Sequence, residues 1–195
     1  MLIFYAFPER EKMTQNDPTM LLLLYFVLPV WLLAGISDWL CHRKTNIETT
    51  TGTKETFIHI LMFIEVGVPL LAAIFMEVNA LIIGLMIVCF FLHEATALWD
   101  VSYAVTAREV SPIEQHVHSF LEMVPLMALL LVISRHWEQF LSLFGFGPTK
   151  ADFSLSFKSE PLPVSYVAVL LTAILLLEVV PYLEELVRCR RQRKA

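Results

Sequence analysis

Five long apolar stretches constrain this chain more than any other feature of its sequence. Each has roughly the 20 residues that an α-helix needs to cross the hydrocarbon core of a bilayer. A helix satisfies all of its backbone hydrogen bonds within one segment, which lipid surroundings demand. The sequence therefore predicts an all-α integral membrane protein with five transmembrane helices. The stretches cover residues 20–40, 57–75, 80–99, 117–133 and 164–187.

The composition agrees with this assignment. Hydrophobic residues make up 57% of the 195 residues and charged residues 17%, and the mean hydropathy is +0.66. A soluble domain carries about a quarter charged residues. No long basic patch with interleaved aromatic residues is present, which argues against a nucleic-acid partner. The three cysteines show no pairing pattern. The partner that the composition indicates is the lipid bilayer.

The chain is expected to form one transmembrane helical domain over residues 20–187. An outside segment, 1–19, precedes it, and a basic cytoplasmic tail, 188–195, follows it. The outside connection 136–163 is expected to be a loop with a short interfacial helix near 137–144. The first span is not interpreted as a signal peptide, because basic residues and no small-residue cleavage site follow it. Met13 is an alternative start to Met1.

The basic residues predict the orientation of the chain. With the amino terminus outside, nine basic residues fall on the cytoplasmic side and five on the outer side, so the carboxyl terminus is expected in the cytoplasm. The cytoplasmic group is Arg43, Lys44, Lys54, Arg108, Arg188, Arg190, Arg191, Arg193 and Lys194, and the outer group is Arg10, Lys12, Arg135, Lys150 and Lys158.

Each of the first four apolar stretches carries a carboxylate and a histidine on one helix face. Residues four apart lie about 40° apart around a helix, and residues seven apart about 20°. An up-and-down bundle brings all four pairs to the cytoplasmic side. A bilayer strongly disfavours ionisable groups, so eight of them gathered at one end indicate a common role. The pairs are Asp38 with His42, Glu55 with His59, His93 with Asp100, and Glu114 with His118.

This set of residue types is typical of a site for two transition-metal ions. In helical bundles, carboxylates bridge two cations and imidazoles complete their coordination. Four carboxylates also supply roughly the charge that two divalent cations bring, which lowers the cost of burying both. We therefore expect the first four helices to form an antiparallel bundle around a polar metal-binding cluster that contains all eight residues. Iron is the favoured metal, with zinc or manganese as alternatives.

Some of these residues have a competing structural role. Ser111, Pro112 and Glu114 form a capping-box pattern, so Glu114 could serve only to begin its helix. His118 continues the face of Glu114, whereas His116 points about 160° away and is expected at the surface.

Three further carboxylates lie deeper in the membrane than the predicted ligands. Glu65, Glu94 and Glu122 are predicted to act catalytically, as proton carriers or as supports for the ligands. In the last span, Glu178 could face the bundle, but that helix carries none of the carboxylate–histidine pairs.

Three classes of function fit this pattern. The first is a membrane-embedded di-iron oxidoreductase that acts on a lipid-soluble or membrane-associated substrate, with a redox partner on the cytoplasmic side. The second is a zinc-dependent intramembrane hydrolase of lipid or peptide bonds. The third is a metal or proton transporter or a metal-dependent sensor, in which Pro69 or Pro125 would mark a broken helix. Haem held by two histidines is disfavoured, because haem ligation does not need four carboxylates.

Overall fold

The computed structural model describes residues 17–193 and shows six α-helices and one short 3-10 helix (Ile47–Thr49) there, and five of the α-helices are long and apolar enough to cross a membrane. Residues 1–16, with the alternative start, and residues 194–195 of the predicted tail lie outside the described part. The predicted helical fold with five spans is confirmed. The spans are α1 (Pro18–Lys44), α2 (Thr53–Phe75), α3 (Ala80–Ala104), α4 (Pro112–Arg135) and α6 (Val164–Gln192), and the predicted short helix is α5 (Trp137–Ser142).

Short polar residues begin three of these helices. Asp17 accepts hydrogen bonds from the first amides of α1, and Asn79 does the same for α3. At α4, the Ser111 hydroxyl accepts from the Glu114 amide at 3.2 Å, and Pro112 occupies the first turn. Each of these caps satisfies an amide that has no partner within its helix. The Glu114 carboxylate turns instead to Arg108, so capping is not its main contact.

Two spans contain a wide π-helical turn just before a proline. In α1 the turn covers Leu23–Val27 and precedes Pro29, and in α6 it covers Leu175–Val179 and precedes Pro181. Proline has no amide to donate to the carbonyl four residues earlier, and a wider turn accommodates this loss. By contrast, α2 and α4 continue through Pro69 and Pro125 without interruption.

The spans alternate in direction, and this places five helix ends together. The carboxyl ends of α1, α3 and α6 lie with the amino ends of α2 and α4. We call this the polar end of the bundle. Sequence reasoning placed only the first four spans around the polar cluster, but α6 packs against α1 and α2 at this end as well. The enclosure therefore consists of five helices rather than four.

Polar and apolar side chains are distributed as expected for a protein surrounded by lipid. Large apolar side chains such as Leu98, Phe91 and Leu33 are more than half exposed. The apolar core around Val27, Trp31, Ile74, Val124 and Leu170 fills the half of the bundle away from the polar end. The buried ionisable groups collect at the polar end, and this concentration defines the candidate site.

Candidate metal centre

Seven of the eight predicted ligand residues come together at the polar end. Six of them are at most 3% exposed, and the seventh, His118, keeps 11% of its side chain exposed. Fully buried carboxylates and imidazoles are rare unless they are paired or bind a cation. The six are Asp38, His42, Glu55, His59, Asp100 and Glu114.

The first group of ligand atoms lies between α1 and α4. One atom from each of Asp38, His42, Glu114 and His118 falls within 4.8 Å of the others. The two oxygens of Asp38 face different rings, at 2.9 Å from His118 Nε2 and 3.4 Å from His42 Nε2. Glu114 Oε1 lies 3.6 Å from the same His42 nitrogen. Two carboxylates and two imidazoles therefore converge on one small volume.

The second group lies between α2 and α3. Ligand atoms of Glu55, His59 and Asp100 also fall within 4.8 Å of one another. His59 Nε2 lies 3.2 Å from Asp100 Oδ1 and 4.0 Å from Glu55 Oε1. This second group has the same chemical character as the first.

Glu185 of α6 joins the two groups, and sequence reasoning missed it. Its carboxylate lies 3.0 Å from Nδ1 of His42 and 3.5 Å from Nδ1 of His59. The two rings stack with centroids 4.4 Å apart and planes 8° apart. An ionised carboxylate only accepts hydrogen bonds, so it favours a proton on each Nδ1 and leaves each Nε2 free as a ligand.

A signal for Glu185 was present in the sequence. Glu178 and Glu185 are seven residues apart on α6 and share one face, and both are buried. Only carboxylates paired with a histidine on the same helix were predicted as ligands, and α6 has no such pair.

Arg108, in the connection between α3 and α4, is the second residue that sequence reasoning missed. Its guanidinium is 3% exposed and lies 2.5 Å from both Glu55 Oε1 and Glu114 Oε1. Burial alone would lower the pKa of Arg108, but hydrogen bonds and charge from Glu114 and Glu55 raise it above its ordinary value. The residue therefore acts as a permanent cation that ties α2 to α4.

The charges of this cluster balance within the protein only if its histidines carry protons. Arg108 offsets one of five buried carboxylates, so four negative charges remain when the imidazoles are neutral. Protonating both His42 and His59 would place like charges on rings 4.4 Å apart, which is unfavourable in a medium of low dielectric constant. Two divalent cations would balance the remainder. The five carboxylates are Asp38, Glu55, Asp100, Glu114 and Glu185.

Several atoms of the cluster that could bind a metal ion are buried without a hydrogen bond of good geometry. Each lies close to an oppositely charged or polar atom, but at angles or distances that do not make a hydrogen bond. Atoms that converge without bonding one another fit a bound cation, because buried polar groups are otherwise nearly always satisfied. Among the described residues these atoms are Asp38 Oδ1, His42 Nε2, His59 Nε2 and Asp100 Oδ1.

His93 lies apart from the two groups. Its Nε2 is 3.3 Å from the carbonyl of Leu121. It shares a face of α3 with Asp100 but lies two turns, about 10 Å, deeper in the bundle. It lines a cavity of about 40 Å³ beside the cluster, into which Asp38, Asp100 and His118 also face.

The three deeper carboxylates occupy different places. Glu122 lines the same 40 Å³ cavity as His93. Glu65 accepts a hydrogen bond of 2.9 Å from Thr96. Glu94 is half-buried on α3 and lines neither this cavity nor the larger one described below. Of the three, Glu122 is the one beside the cluster.

No protein family model, curated protein or solved structure matches this chain. Its function is therefore inferred from its own residues and geometry.

Proposed function

We propose that the chain is a membrane metalloprotein that binds two divalent transition-metal ions at the polar end. The observation that supports this is the set of ligand atoms, in which four negative charges, uncompensated when the imidazoles are neutral, surround imidazole nitrogens without hydrogen-bond partners. One ion would take ligands from the group around Asp38 and His118, and the other from the group around His59 and Asp100. Glu55 and Glu114 can serve both Arg108 and an ion, because a carboxylate offers about four lone-pair positions.

The activity that this site supports best is that of a di-iron oxidoreductase. A mixed set of imidazoles and carboxylates suits iron or manganese, whereas structural zinc sites usually have four ligands in all. Two iron ions would supply oxygen activation, and the burial of the site within five helices suits a lipid-soluble substrate. Glu122, which lines the cavity beside the cluster, would carry protons, and a redox partner would approach the polar end. A zinc hydrolase is the second candidate, since Glu122 could also act as the base for water.

Transport receives less support. Transporters commonly bind their ions where helices are broken near the middle of the membrane. The two helices that sequence reasoning named for such breaks, α2 and α4, run without interruption through Pro69 and Pro125.

The proposal predicts about two iron ions per chain in protein purified without chelator. Elemental analysis measures the metal content, and Mössbauer spectroscopy of protein grown on isotope-enriched iron tests whether the two ions are magnetically coupled. A native zinc content without iron would favour the hydrolase, and a folded protein that binds no metal would contradict the whole proposal.

A matched pair of histidines provides the control. His118→Ala should lower the metal content by about one ion per chain, because it removes a ligand of the first group. His116→Ala should change nothing, since His116 is exposed and packs edge-on against Phe120. An equal loss in both variants would show that the effect does not arise at the cluster.

We also propose that the polar end faces the cytoplasm, on the basis of the distribution of basic residues. In a background that lacks the three native cysteines, Thr50→Cys between α1 and α2 should react with a membrane-impermeant maleimide only from the cytoplasmic side. Ser156→Cys, between α5 and α6, should react only from the outside. Both positions are exposed in the structure. The reverse pattern would place the cluster at the outer face.

A further inference from the structure

A second, larger cavity lies between α1, α2 and α4, away from the polar end. Its volume is about 150 Å³, and its lining is mostly apolar. On α1 the lining extends from Met20 to Trp31, which is about 17 Å along the helix. The cavity is therefore long and narrow, a shape that fits one extended hydrocarbon chain. Its lining includes Leu24, Leu28, Val66, Leu70, Val124 and Val132.

The end of this cavity away from the cluster carries three basic residues, Arg135, His136 and Lys158. We call this end the basic mouth. Arg135 keeps only 9% of its side chain exposed, and its Nε has no hydrogen-bond partner among residues 17–193. The connection that carries Lys158 is fixed to the end of α2, because the Lys158 amide donates to the Phe75 carbonyl at 2.9 Å.

The bases of the basic mouth repel one another and also lie beside carboxylates. Burial lowers the pKa of His136 to about 4, and the charges of Arg135 and Lys158 contribute to this shift. Burial also lowers the pKa of Lys158, with Glu77 opposing the shift and Arg135 adding to it. Among residues 17–193, Glu77 and Asp17 are carboxylates near these bases, and Asp17 pairs with Arg135 at 2.5 Å. An anionic head group would give the Arg135 Nε, which has no hydrogen-bond partner among these residues, a charged acceptor.

The inner end of the cavity leads toward the cluster. Trp31 lines both the 150 Å³ cavity and the 40 Å³ cavity, and its ring is parallel to Phe63 with centroids 6.2 Å apart. The smaller cavity reaches Asp38, Asp100 and His118. Along α4, Arg135 and His118 are about 26 Å apart. Trp31 therefore lies between the cavity that begins at the basic mouth and the cavity beside the candidate metal centre.

We propose that this pair of cavities binds a single-chain anionic amphiphile, with its carboxylate or phosphate at the basic mouth and its chain directed past Trp31. The proposal that the amphiphile binds at the mouth and in the apolar cavity does not depend on the proposed function. The proposal that the distal carbons of its chain lie near metal ions does rest on that function. The amphiphile is a substrate class for that function.

The shape of the cavity and the basic residues at its mouth favour a ligand with one hydrocarbon chain and an anionic head group. A neutral hydrocarbon would leave the guanidinium of Arg135 without an added partner, and a lipid with two chains would need a wider space. Hydrogen bonds between ionised groups are stronger than those between neutral groups, so the head group should contribute strongly to affinity.

Fluorescence quenching tests where the chain lies. The probe is stearic acid with bromine atoms on the distal half of its chain, added to the full-length protein in nanodiscs of zwitterionic lipid. A variant that keeps Trp31 as its one tryptophan should be quenched saturably. A variant that keeps only Trp99, which is 50% exposed against 7% for Trp31, should be quenched in proportion to the bromine in the bilayer. Identical, unsaturable quenching in both would overturn the proposal.

Competition identifies the head group. Unbrominated stearate and lysophosphatidic acid should each reverse the quenching of Trp31, and the stronger of the two identifies a free carboxylate or a phosphate as the preferred head. Stearyl alcohol should be at least tenfold weaker than the better acid. Equal displacement by the alcohol and both acids would rule out a binding site for an anion at the mouth.

Substitutions at the mouth test the site in both directions. Arg135→Gln combined with Lys158→Gln should raise the Kd of the brominated acid roughly tenfold, and Lys150→Gln, an exposed lysine in the same connection, should not. Asp17→Asn should lower the Kd, because it frees Arg135 while asparagine still caps α1. An unchanged Kd in both the double variant and Asp17→Asn would contradict the proposal.

The metal proposal and the amphiphile proposal can be tested separately. The quenching of Trp31 by the brominated acid is titrated once with the protein as purified and once after its metal has been removed with a chelator. Saturable binding that persists in a protein without any metal would keep the amphiphile site and reject the metal function. A protein with two ions and no saturable quenching would keep the metal function and reject the amphiphile site.

Discussion

Replacing Arg108 with glutamine is expected to destabilise the protein by about 3–5 kcal/mol, because it leaves two buried carboxylates without their cation. Glu55 and Glu114 are both fully buried, and Arg108 lies 2.5 Å from an oxygen of each. Thermal unfolding of the purified protein in a mild detergent measures the loss.

The matched control is Arg190→Gln. Arg190 is exposed near the end of α6 and lies 5.9 Å from the ring of Phe57. A surface contact of this kind is worth about 1 kcal/mol or less. Equal destabilisation by the two substitutions would contradict the structural role given to Arg108.

A second substitution tests the cause of the destabilisation. Adding Glu55→Gln to Arg108→Gln removes one of the orphaned charges, so the double variant should be more stable than Arg108→Gln alone. Groups in direct contact are expected to show such non-additive effects. If the two losses simply add, Arg108 stabilises the fold in some way other than by neutralising Glu55.

The fold could be predicted from the sequence because the bilayer imposes simple requirements. The length of an apolar stretch is enough to predict a spanning helix, and all five predicted stretches lie within the observed helices. Their ends extend further than the apolar stretches, because polar caps such as Asp17 and Ser111 begin helices outside the apolar part. Polar residues therefore mark the end of the apolar stretch in the sequence, but the helix itself continues beyond that point.

Part of the cluster could be predicted because alternating spans bring particular helix ends together. This reasoning correctly grouped both residues of the α1, α2 and α4 pairs, with Asp100 from α3. It did not separate residues by depth, which is why His93 was included although it lies two turns away from Asp100. A shared helix face is necessary for a common site, but a shared depth is needed as well.

Arg108 was missed for a different reason. It lies in a connection without periodic structure, and no helical spacing predicts where its side chain points. Its positive charge was counted only as evidence for orientation. The clue that remained was chemical, since an excess of buried carboxylates requires a cation and Arg108 is the basic residue of the α3–α4 connection.

Replacing Glu185 with glutamine is expected to cost the protein one of its two metal ions while leaving the fold intact. The carboxylate oxygens of Glu185 face Nδ1 of both His42 and His59. Glutamine offers one oxygen and one amino group, so it can accept from only one ring. The other ring must then accept at Nδ1 and carry its proton on Nε2, where it can no longer bind a metal.

The distances indicate which ion is lost. The hydrogen bond to His42 is 3.0 Å long and the contact with His59 is 3.5 Å, so the glutamine oxygen should stay with His42. The ion held by Glu55, His59 and Asp100 should therefore bind roughly 10–100-fold more weakly, as expected when a group that orients a ligand is lost. Adding His118→Ala should then remove the other ion as well, and elemental analysis of the single and double variants distinguishes the two sites.

Glu184→Gln is the control, because Glu184 is the adjacent residue with a different environment. Its side chain is 34% exposed, and it contacts Trp39, Arg43 and Arg188 at the surface of the bundle. Losing such exposed ion pairs costs about 1 kcal/mol or less and should leave the metal content at two. If Glu185→Gln also retains two ions, the carboxylate does not set the proton positions of the two histidines. If Glu185→Gln loses both ions, Glu185 is a ligand shared by the two metals rather than a residue that orients the rings.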